Sequence, residues 1–147
     1  LGSSIHFKQI EKLCAKYSPS LVVIDQIDKV LGMDNDREDL RLGAIYQRSR
    51  ELSKEFCPFI GVCQSDGSGE GQKWLTMANV ANAKTSKQAE ADWILGIGKI
   101  PDTGYEALRF FNISKNKLLG SKDTDPSKRH HRWEVLIEPL IGRYKDL

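Results

Sequence analysis

The sequence lacks the features that mark several large classes of protein. No apolar run approaches the roughly 20 residues that a membrane-spanning helix requires, and we expect no membrane partner. The three cysteines form no CxxC pair and have no metal-ligand spacing to the three histidines. An odd number of cysteines among mostly apolar neighbours predicts reduced thiols in a cytoplasmic protein. No Ser/His/Asp or Cys/His arrangement of a nucleophilic catalyst stands out.

An excess of charge of either sign is also missing. The 22 Lys and Arg oppose 20 Asp and Glu, for a formal net charge of +2, and the sequence pI is near 8.4. A nucleic-acid-binding domain usually has a pI above about 9, so composition alone indicates no partner. The 147 residues suffice for one domain of ordinary size but not for two.

The first part of the chain predicts an α/β architecture with a mostly parallel sheet. Apolar residues at helical spacing predict helices over Ile5–Tyr17 and Arg37–Phe56. The short apolar runs Leu21–Asp25 and Phe59–Gln64 predict strands buried on both faces, as in parallel sheets. The inward residues are predicted to be Ile5, Gln9, Ile10, Leu13 and Cys14 on the first helix and Leu40, Ile45, Leu52 and Phe56 on the second.

The chain changes character after Gln64. A glycine-rich segment, Ser65–Asn82, is long for a connection within a domain, and loops of that length are usually functional or disordered. A short helix, TSKQAEA, and a strand from Asp92 are predicted to follow. The stretches ALRFFNISKNK and HRWEVLIEP alternate between apolar and polar residues, which predicts C-terminal antiparallel strands.

Two polar residues end the predicted parallel strands. Asp25 closes the run LVVID, and Gln64 closes FIGVCQ. Open α/β sheets bind ligands at the carboxyl ends of their strands. There a carboxylate can hold Mg²⁺ beside nucleotide phosphates, and an amide can sense a phosphate or position a water. The alternatives are that Asp25 caps the following turn and that Gln64 bonds to loop backbone.

Lysines are concentrated in two later stretches. The first stretch, residues 65–87, combines glycines, lysines and Trp74. This combination suits the phosphates and stacked bases of a nucleic-acid strand, and a solvated loop is the alternative. Its lysines are Lys73, Lys84 and Lys87. The second stretch holds Lys115 and Lys117, which share a face if they lie on a strand end. A phosphate between them would offset their repulsion, and a solvated pair is the alternative.

Taken in order, these motifs resemble the C-terminal RecA-like ATPase domain of DnaB-type hexameric replicative helicases, including phage primase-helicases. The resemblance covers nearly all of residues 1–147 and rests on LVVIDQIDKV, RSRELSKEFCPF, IGVCQ, TSKQAEADWILGIG, FNISKNKLLG and WEVLIEPLIGRYKDL. It implies a homo-hexameric enzyme that uses ATP and Mg²⁺ to translocate on single-stranded DNA and to unwind duplex. The implied location is the cytoplasm of a bacterium, or of a host cell if a phage encodes the protein.

The resemblance also implies a role for each candidate residue. Asp25 would assist Mg²⁺ binding, and Gln64 would report the γ-phosphate to the loop behind it. Lys115 and Lys117 would reach the ATP of the adjacent subunit. Lys117 stands where the family commonly has an arginine finger, and lysine lacks the planar fork of arginine. The loop over residues 65–87 would face the central channel, and its implied DNA contacts are Lys73, Lys84 and Lys87.

One family motif is missing from the sequence. The 147 residues contain no GxxxxGK[ST] phosphate-binding motif and no counterpart of the family's catalytic glutamate. The resemblance therefore implies a RecA-like domain that is incomplete on its N-terminal side. We expect the isolated chain to bind ATP poorly and to hydrolyse none, and a monomeric state is compatible with it. The alternatives are another RecA-like ATPase, recombinase-like or KaiC-like, and a catalytically dead module that keeps only the DNA-contacting loop.

Overall fold

The computed structural model describes residues 5–33, 37–82, 84–118 and 129–147. The described chain divides into two compact units, one formed by residues 1–64 and 82–91 and the other by residues 65–81 and 92–147. Its helices and strands are α1 (Phe7–Tyr17), β1 (Val22–Asp25), α2 (Glu38–Glu55), β2 (Phe59–Val62), α3 (Lys84–Glu90), β3 (Trp93–Gly98), β4 (Leu108–Asn116), β5 (Arg132–Glu138) and β6 (Arg143–Asp146).

A parallel strand pair forms the sheet of the first unit. β1 and β2 pair in parallel from Val22 opposite Phe59 to Asp25 opposite Val62. Parallel neighbours need a crossover connection, and the 18-residue helix α2 lies in that connection. The predicted order of helix, strand, helix and strand is confirmed, with element ends shifted by a few residues.

The core of the first unit combines one face of each long helix with the strand β1. The buried residues of this core are Phe7, Ile10, Cys14, Ile24, Ile27, Val30, Leu42, Ile45 and Leu52. The predicted inward faces were partly wrong. The exposed members of the prediction are Ile5, Gln9 and Leu13 in the first helix and Leu40 in the second. Phe7 and Leu42 take the buried positions instead, which rotates the inward face of each helix slightly.

The prediction that both parallel strands are buried on two faces is wrong. Val22 and Ile24 pack against the core, while Val23 between them is 58% exposed and its register partner Ile60 is 49% exposed. Successive side chains of a strand point to opposite faces. The described part of this unit therefore covers one face of the pair and leaves apolar side chains on the other.

The second unit contains an antiparallel sheet in the order β3-β4-β5-β6. The predicted C-terminal antiparallel strands are confirmed. The described strands thus form a two-stranded parallel sheet and a four-stranded antiparallel sheet, so the prediction of a mostly parallel sheet holds only for β1 and β2. Strands joined through turns pair with reversed direction, whereas a helical crossover returns the chain in the same direction.

The glycine-rich segment is folded and packs on β3. The Asp66 N–H donates to the Asn79 carbonyl at 2.9 Å, and Thr76 Oγ1 accepts from the Ala78 N–H at 3.3 Å. A Cβ at Gly98 would lie only 2.2 Å from the Lys73 carbonyl oxygen. Glycine is therefore required on β3 for this close backbone approach.

Two expectations drawn from the composition concern membrane-spanning helices and the state of the cysteines. In the described ranges, no helix combines the length and apolar character needed to cross a membrane. The three cysteines are free thiols, as predicted. Burial raises the pKa of the Cys14 thiol, which keeps this side chain neutral within the core.

Candidate functional site

Asp25 stands at the carboxyl end of β1, where the apolar run of the strand gives way to a turn. Its side chain is exposed, and the peptide bond to Gln26 is cis. Among the described residues, no hydrogen bond or ion pair involves its carboxylate. Both carboxylate oxygens are therefore available to a ligand at this edge of the sheet.

Gln64 lies at the same edge. β2 ends at Val62, the register partner of Asp25, and Gln64 follows two residues later with an exposed side chain. Neighbouring strands lie about 4.8 Å apart, so both residues leave the parallel pair at its carboxyl edge, with Gln64 two residues beyond the register partner of Asp25. A direct approach of the two side chains stays a prediction.

An open groove of about 410 Å³ adjoins Asp25. It is lined by side chains of α1 and β1, including Leu13, Tyr17 and Val23. Asp25 is the charged residue of this lining. Apolar walls and a carboxylate cannot neutralise a polyphosphate, so this groove does not by itself form a phosphate cradle.

A buried polar cluster holds the turn that follows Asp25. The turn contains a 3₁₀ helix over Ile27–Lys29. One carboxylate oxygen of Asp28 accepts from the Tyr46 hydroxyl at 3.0 Å, and the other accepts from Lys87 Nζ at 2.6 Å. Burial, with contributions from Cys63 and Asp28, raises the pKa of Tyr46 well above its usual range, so its hydroxyl remains a donor.

Asp28, Tyr46 and the pairing of Lys87 were not predicted from the sequence. The available signal was a second acidic residue three positions after Asp25, in the stretch IDQID. Its partners lie 18 and 59 residues further along the chain. Spacing within a single motif could not reveal them.

Lys73 lies in the glycine-rich segment with its ammonium among aromatic rings. Its Nζ is 4.7 Å from the Phe110 ring centroid and 5.2 Å from that of Trp74. It also forms a 2.5 Å ion pair with Glu134, and its side chain is 39% exposed. A cation and an indole ring therefore stand together at a half-exposed position, a combination that suits a single nucleic-acid strand.

The other two lysines predicted to bind DNA belong to α3. Lys84 is the first residue of this helix. The side chain of Lys87 is only 3% exposed, within the ion pair to Asp28. A DNA phosphate could reach the Lys87 ammonium only if that pair opened, so the structure does not favour the sequence-based role, which stays a prediction.

Lys115 and Lys117 lie at the end of β4. Lys115 is half-buried on the strand, opposite Ile94 of β3. Lys117 follows the strand with an exposed side chain, and its N–H donates to the Asp92 carbonyl at 2.8 Å. Lys117 comes directly after the last residue of β4, so one residue separates the two lysines at this end of the strand. A shared face for their side chains stays a prediction.

Comparison with solved structures defines the class of fold. The chain shares its fold with part of two solved structures, an ATPase domain and a DnaB-like replicative helicase, so the resemblance predicted from the sequence is confirmed at the level of the fold. One similar structure is described as an ATPase domain, with a TM-score of 0.74 and 14% identity over 95% of this chain and 49% of that one. Another is a DnaB-like replicative helicase described with its interactions with primase, with a TM-score of 0.65 and 11% identity over 95% of this chain and 34% of that one.

The comparisons therefore relate only part of each neighbour to this chain. Residues 1–147 span about half the length of the first structure and about a third of the second. No protein-family model and no curated protein matches the sequence.

Proposed function

We propose that this chain forms part of the ATPase domain of a replicative DNA helicase, which hydrolyses ATP to translocate on single-stranded DNA and to unwind duplex. The observation that carries the proposal is the placement of Asp25 and Gln64 at one carboxyl edge of a parallel strand pair, in a fold shared with helicase ATPase domains. We take residues 1–147 as the C-terminal part of that domain.

Asp25 and Gln64 have the chemistry to handle a magnesium-bound nucleotide. MgATP, when bound, supplies the phosphoanhydride bond that is cleaved. Mg²⁺ usually takes only one or two protein carboxylates together with phosphates and waters, so the exposed carboxylate of Asp25 suffices as the contribution of this chain. The Gln64 amide can donate to a phosphate oxygen and accept from a water, which suits a residue that responds to the γ-phosphate.

We expect the other contacts with the nucleotide phosphates to come from residues that do not line the groove beside Asp25. The groove beside Asp25 is largely apolar, and the sequence contains no GxxxxGK[ST] motif. Backbone N–H groups and a lysine normally hold the phosphates in this class of enzyme. We therefore expect the isolated 147-residue chain to hydrolyse no ATP.

We assign Lys115 and Lys117 to the ATP of an adjacent subunit in a homo-hexamer. Lys115 and Lys117 are separated by one residue at the end of β4, and two cations this close in sequence can bind one anion together. Lys117 is exposed at the end of β4, where it can extend beyond its own chain. As a point charge it would stabilise a phosphoryl group less specifically than a bidentate arginine.

We assign contacts with single-stranded DNA to Lys73 in the second unit and, independently, to Lys84 at the start of α3 in the first unit. Lys73 and Trp74 combine a cation with a stacking surface. Such a pair binds backbone and base without reading sequence, which is what a translocating enzyme requires. The ion pair with Glu134 would be exchanged for a phosphate contact.

A second candidate is a DNA-binding module without catalysis. The cation and indole ring of Lys73 and Trp74 favour it, because DNA binding through them needs no nucleotide. Such a module would bind single-stranded DNA and show no nucleotide-dependent activity in any longer protein. Another RecA-like ATPase would hydrolyse ATP without unwinding duplex, so measuring both activities separates the three possibilities.

The test compares two aspartate substitutions in the complete gene product. Asp25→Asn removes the charge expected to meet Mg²⁺, and DNA-stimulated ATP hydrolysis should fall by about 100-fold, as when one preorganised electrostatic contact is lost. Asp102→Asn is the matched control, because Asp102 is an exposed aspartate in the turn before β4. Wild-type hydrolysis by Asp25→Asn would contradict the proposed role of Asp25.

A further inference from the structure

Close to the sheet edge that carries Asp25 and Gln64, two side chains hold the carboxylate of Asp28. Lys87 Nζ and the Tyr46 hydroxyl bind its two oxygens at 2.6 and 3.0 Å. The exposed side-chain fractions are 3% for Lys87 and 22% for Asp28. The Lys87 ammonium also lies 5.3 Å from the centroid of the Tyr46 ring. Both oxygens of this carboxylate are therefore engaged by residues of the first unit.

The backbone of the same turn is held independently by Arg41. Its guanidinium donates to the Val30 carbonyl at 3.0 Å and to the Asp28 carbonyl at 3.3 Å. Within the turn, the Val30 N–H donates to the Ile27 carbonyl at 3.1 Å. Side chains from α2 and α3 thus contact a turn that begins directly after Asp25.

Burying the ion pair of Lys87 and Asp28 carries a large desolvation cost. Removing two charges from water costs several kcal/mol for each ion, and an apolar pair of similar volume is often as stable. An ion pair with two hydrogen-bonded oxygens differs from apolar packing because it fixes direction and distance. Its value at this position is geometric: it defines where the turn lies relative to α2 and α3.

We propose that Lys87 is a positioning residue, which holds the turn after Asp25 through the Asp28 carboxylate and so sets the position of the Asp25 carboxylate for a magnesium-bound nucleotide. The nucleotide part of this inference rests on the proposed function. Lys87 then acts inside the first unit, and it does not contact DNA while the pair is closed.

The test uses the complete gene product and three variants. Lys87→Met removes the ammonium and keeps an unbranched side chain. The double variant Lys87→Met/Asp28→Asn removes both charges and keeps an acceptor for the Tyr46 hydroxyl. Lys54→Met is the matched control, because Lys54 is an exposed lysine of α2. The measurements are thermal unfolding, amide hydrogen exchange, and binding of a fluorescent non-hydrolysable ATP analogue at varied Mg²⁺ concentration.

Positioning predicts a specific combination of results. Lys87→Met should speed exchange at the amides of residues 25–30, and it should raise the Mg²⁺ concentration for half-maximal analogue binding by about tenfold, as for other residues that orient a metal ligand. The double variant should regain thermal stability, since no charge is left unpaired, but its Mg²⁺ requirement should stay raised. Lys54→Met should match the wild type throughout.

Two results would overturn the inference. A merely structural pair would lower thermal stability in Lys87→Met and leave the Mg²⁺ requirement unchanged in the double variant. A DNA contact would weaken binding of a labelled oligothymidylate in Lys87→Met and reduce its logarithmic salt dependence by about 0.7, with unchanged Mg²⁺ dependence. If the wild-type protein binds no analogue at all, the proposed function fails, and unchanged exchange at residues 25–30 in Lys87→Met would then reject positioning of the turn.

Discussion

Two lysines, one in each compact unit, are held in opposite ways. In the first unit, Lys87 is buried and pairs with Asp28, a carboxylate that also accepts from Tyr46. In the second unit, Lys73 pairs with Glu134 beside two aromatic rings, and more than a third of its side chain is exposed. Both ammonium groups have carboxylate partners, but water and ions reach only Lys73.

Residue type therefore does not decide which of the two lysines can bind a ligand. A half-exposed ion pair is worth at most about 1 kcal/mol, so an arriving phosphate can replace Glu134 at little cost. Replacing Asp28 would leave a buried carboxylate without its ion partner. Lys73 is therefore suited to a ligand that binds and leaves, and Lys87 is suited to a fixed structural role.

The largest expected difference between the two lysines appears when each ammonium group is removed in turn. Lys87→Met should lower the free energy of unfolding by about 3 kcal/mol, because it leaves the Asp28 charge unpaired in a mostly buried position. Lys73→Met should cost less than about 1 kcal/mol, because its ion pair is half exposed. Urea unfolding of both variants measures the difference. Equal losses would contradict the distinction between the two lysines.

A second substitution tests whether the segment bearing Lys73 is held in place by packing on β3. Gly98→Ala would place a Cβ 2.2 Å from the Lys73 carbonyl oxygen and 2.6 Å from that of Gln72. The backbone must then move, at an expected cost of about 2 kcal/mol. Gly67→Ala is the control, since nothing lies within 4 Å of its Cβ. Urea midpoints that match for both variants would show that the segment does not depend on this contact.

The smallest expected effect concerns an ion pair that is more exposed than either lysine. Arg37 and Asp39 contact at 2.7 Å with side chains 70% and 50% exposed. The hydrogen bond from Arg37 lowers the pKa of Asp39, so its contribution is present above the unfolded-state pKa and is lost as pH falls through the folded-state value.

Asp39→Asn should therefore slightly flatten the acid side of the stability curve, below about pH 4. Salt at about 1 M should remove most of that difference between Asp39→Asn and the wild type. The stability loss in Lys87→Met should persist at the same salt concentration, because the Asp28 pair is shielded from solvent. Urea midpoints measured against pH at low and high salt test both statements.

Local patterns predicted the order of elements and the edge of the sheet. A short apolar run followed by Asp25 marks a strand and its end within a few residues, and the same holds for the run before Gln64. The alternation of apolar and polar residues likewise predicted the strands β4 and β5. These features depend on neighbours in sequence, so the sequence contains them directly.

Burial and long-range pairing could not be predicted in the same way. Lys84 and Lys87 lie in the same short polar stretch of sequence. Lys87 nevertheless pairs with a carboxylate 59 residues away. Val23 belongs to an apolar run that is typical of a buried strand, but its exposure depends on which face the helices cover. The prediction that Lys87 contacts DNA rests on its residue type and on its place in the loop implied by the resemblance, and neither carries information about burial.

Unwinding of a forked DNA duplex by the complete gene product tests the proposed helicase function. We predict strand separation that requires ATP and Mg²⁺, that is abolished in Asp25→Asn and that is retained in Asp102→Asn. Binding of single-stranded DNA without any ATP-dependent separation would contradict the helicase assignment and favour the non-catalytic DNA-binding module.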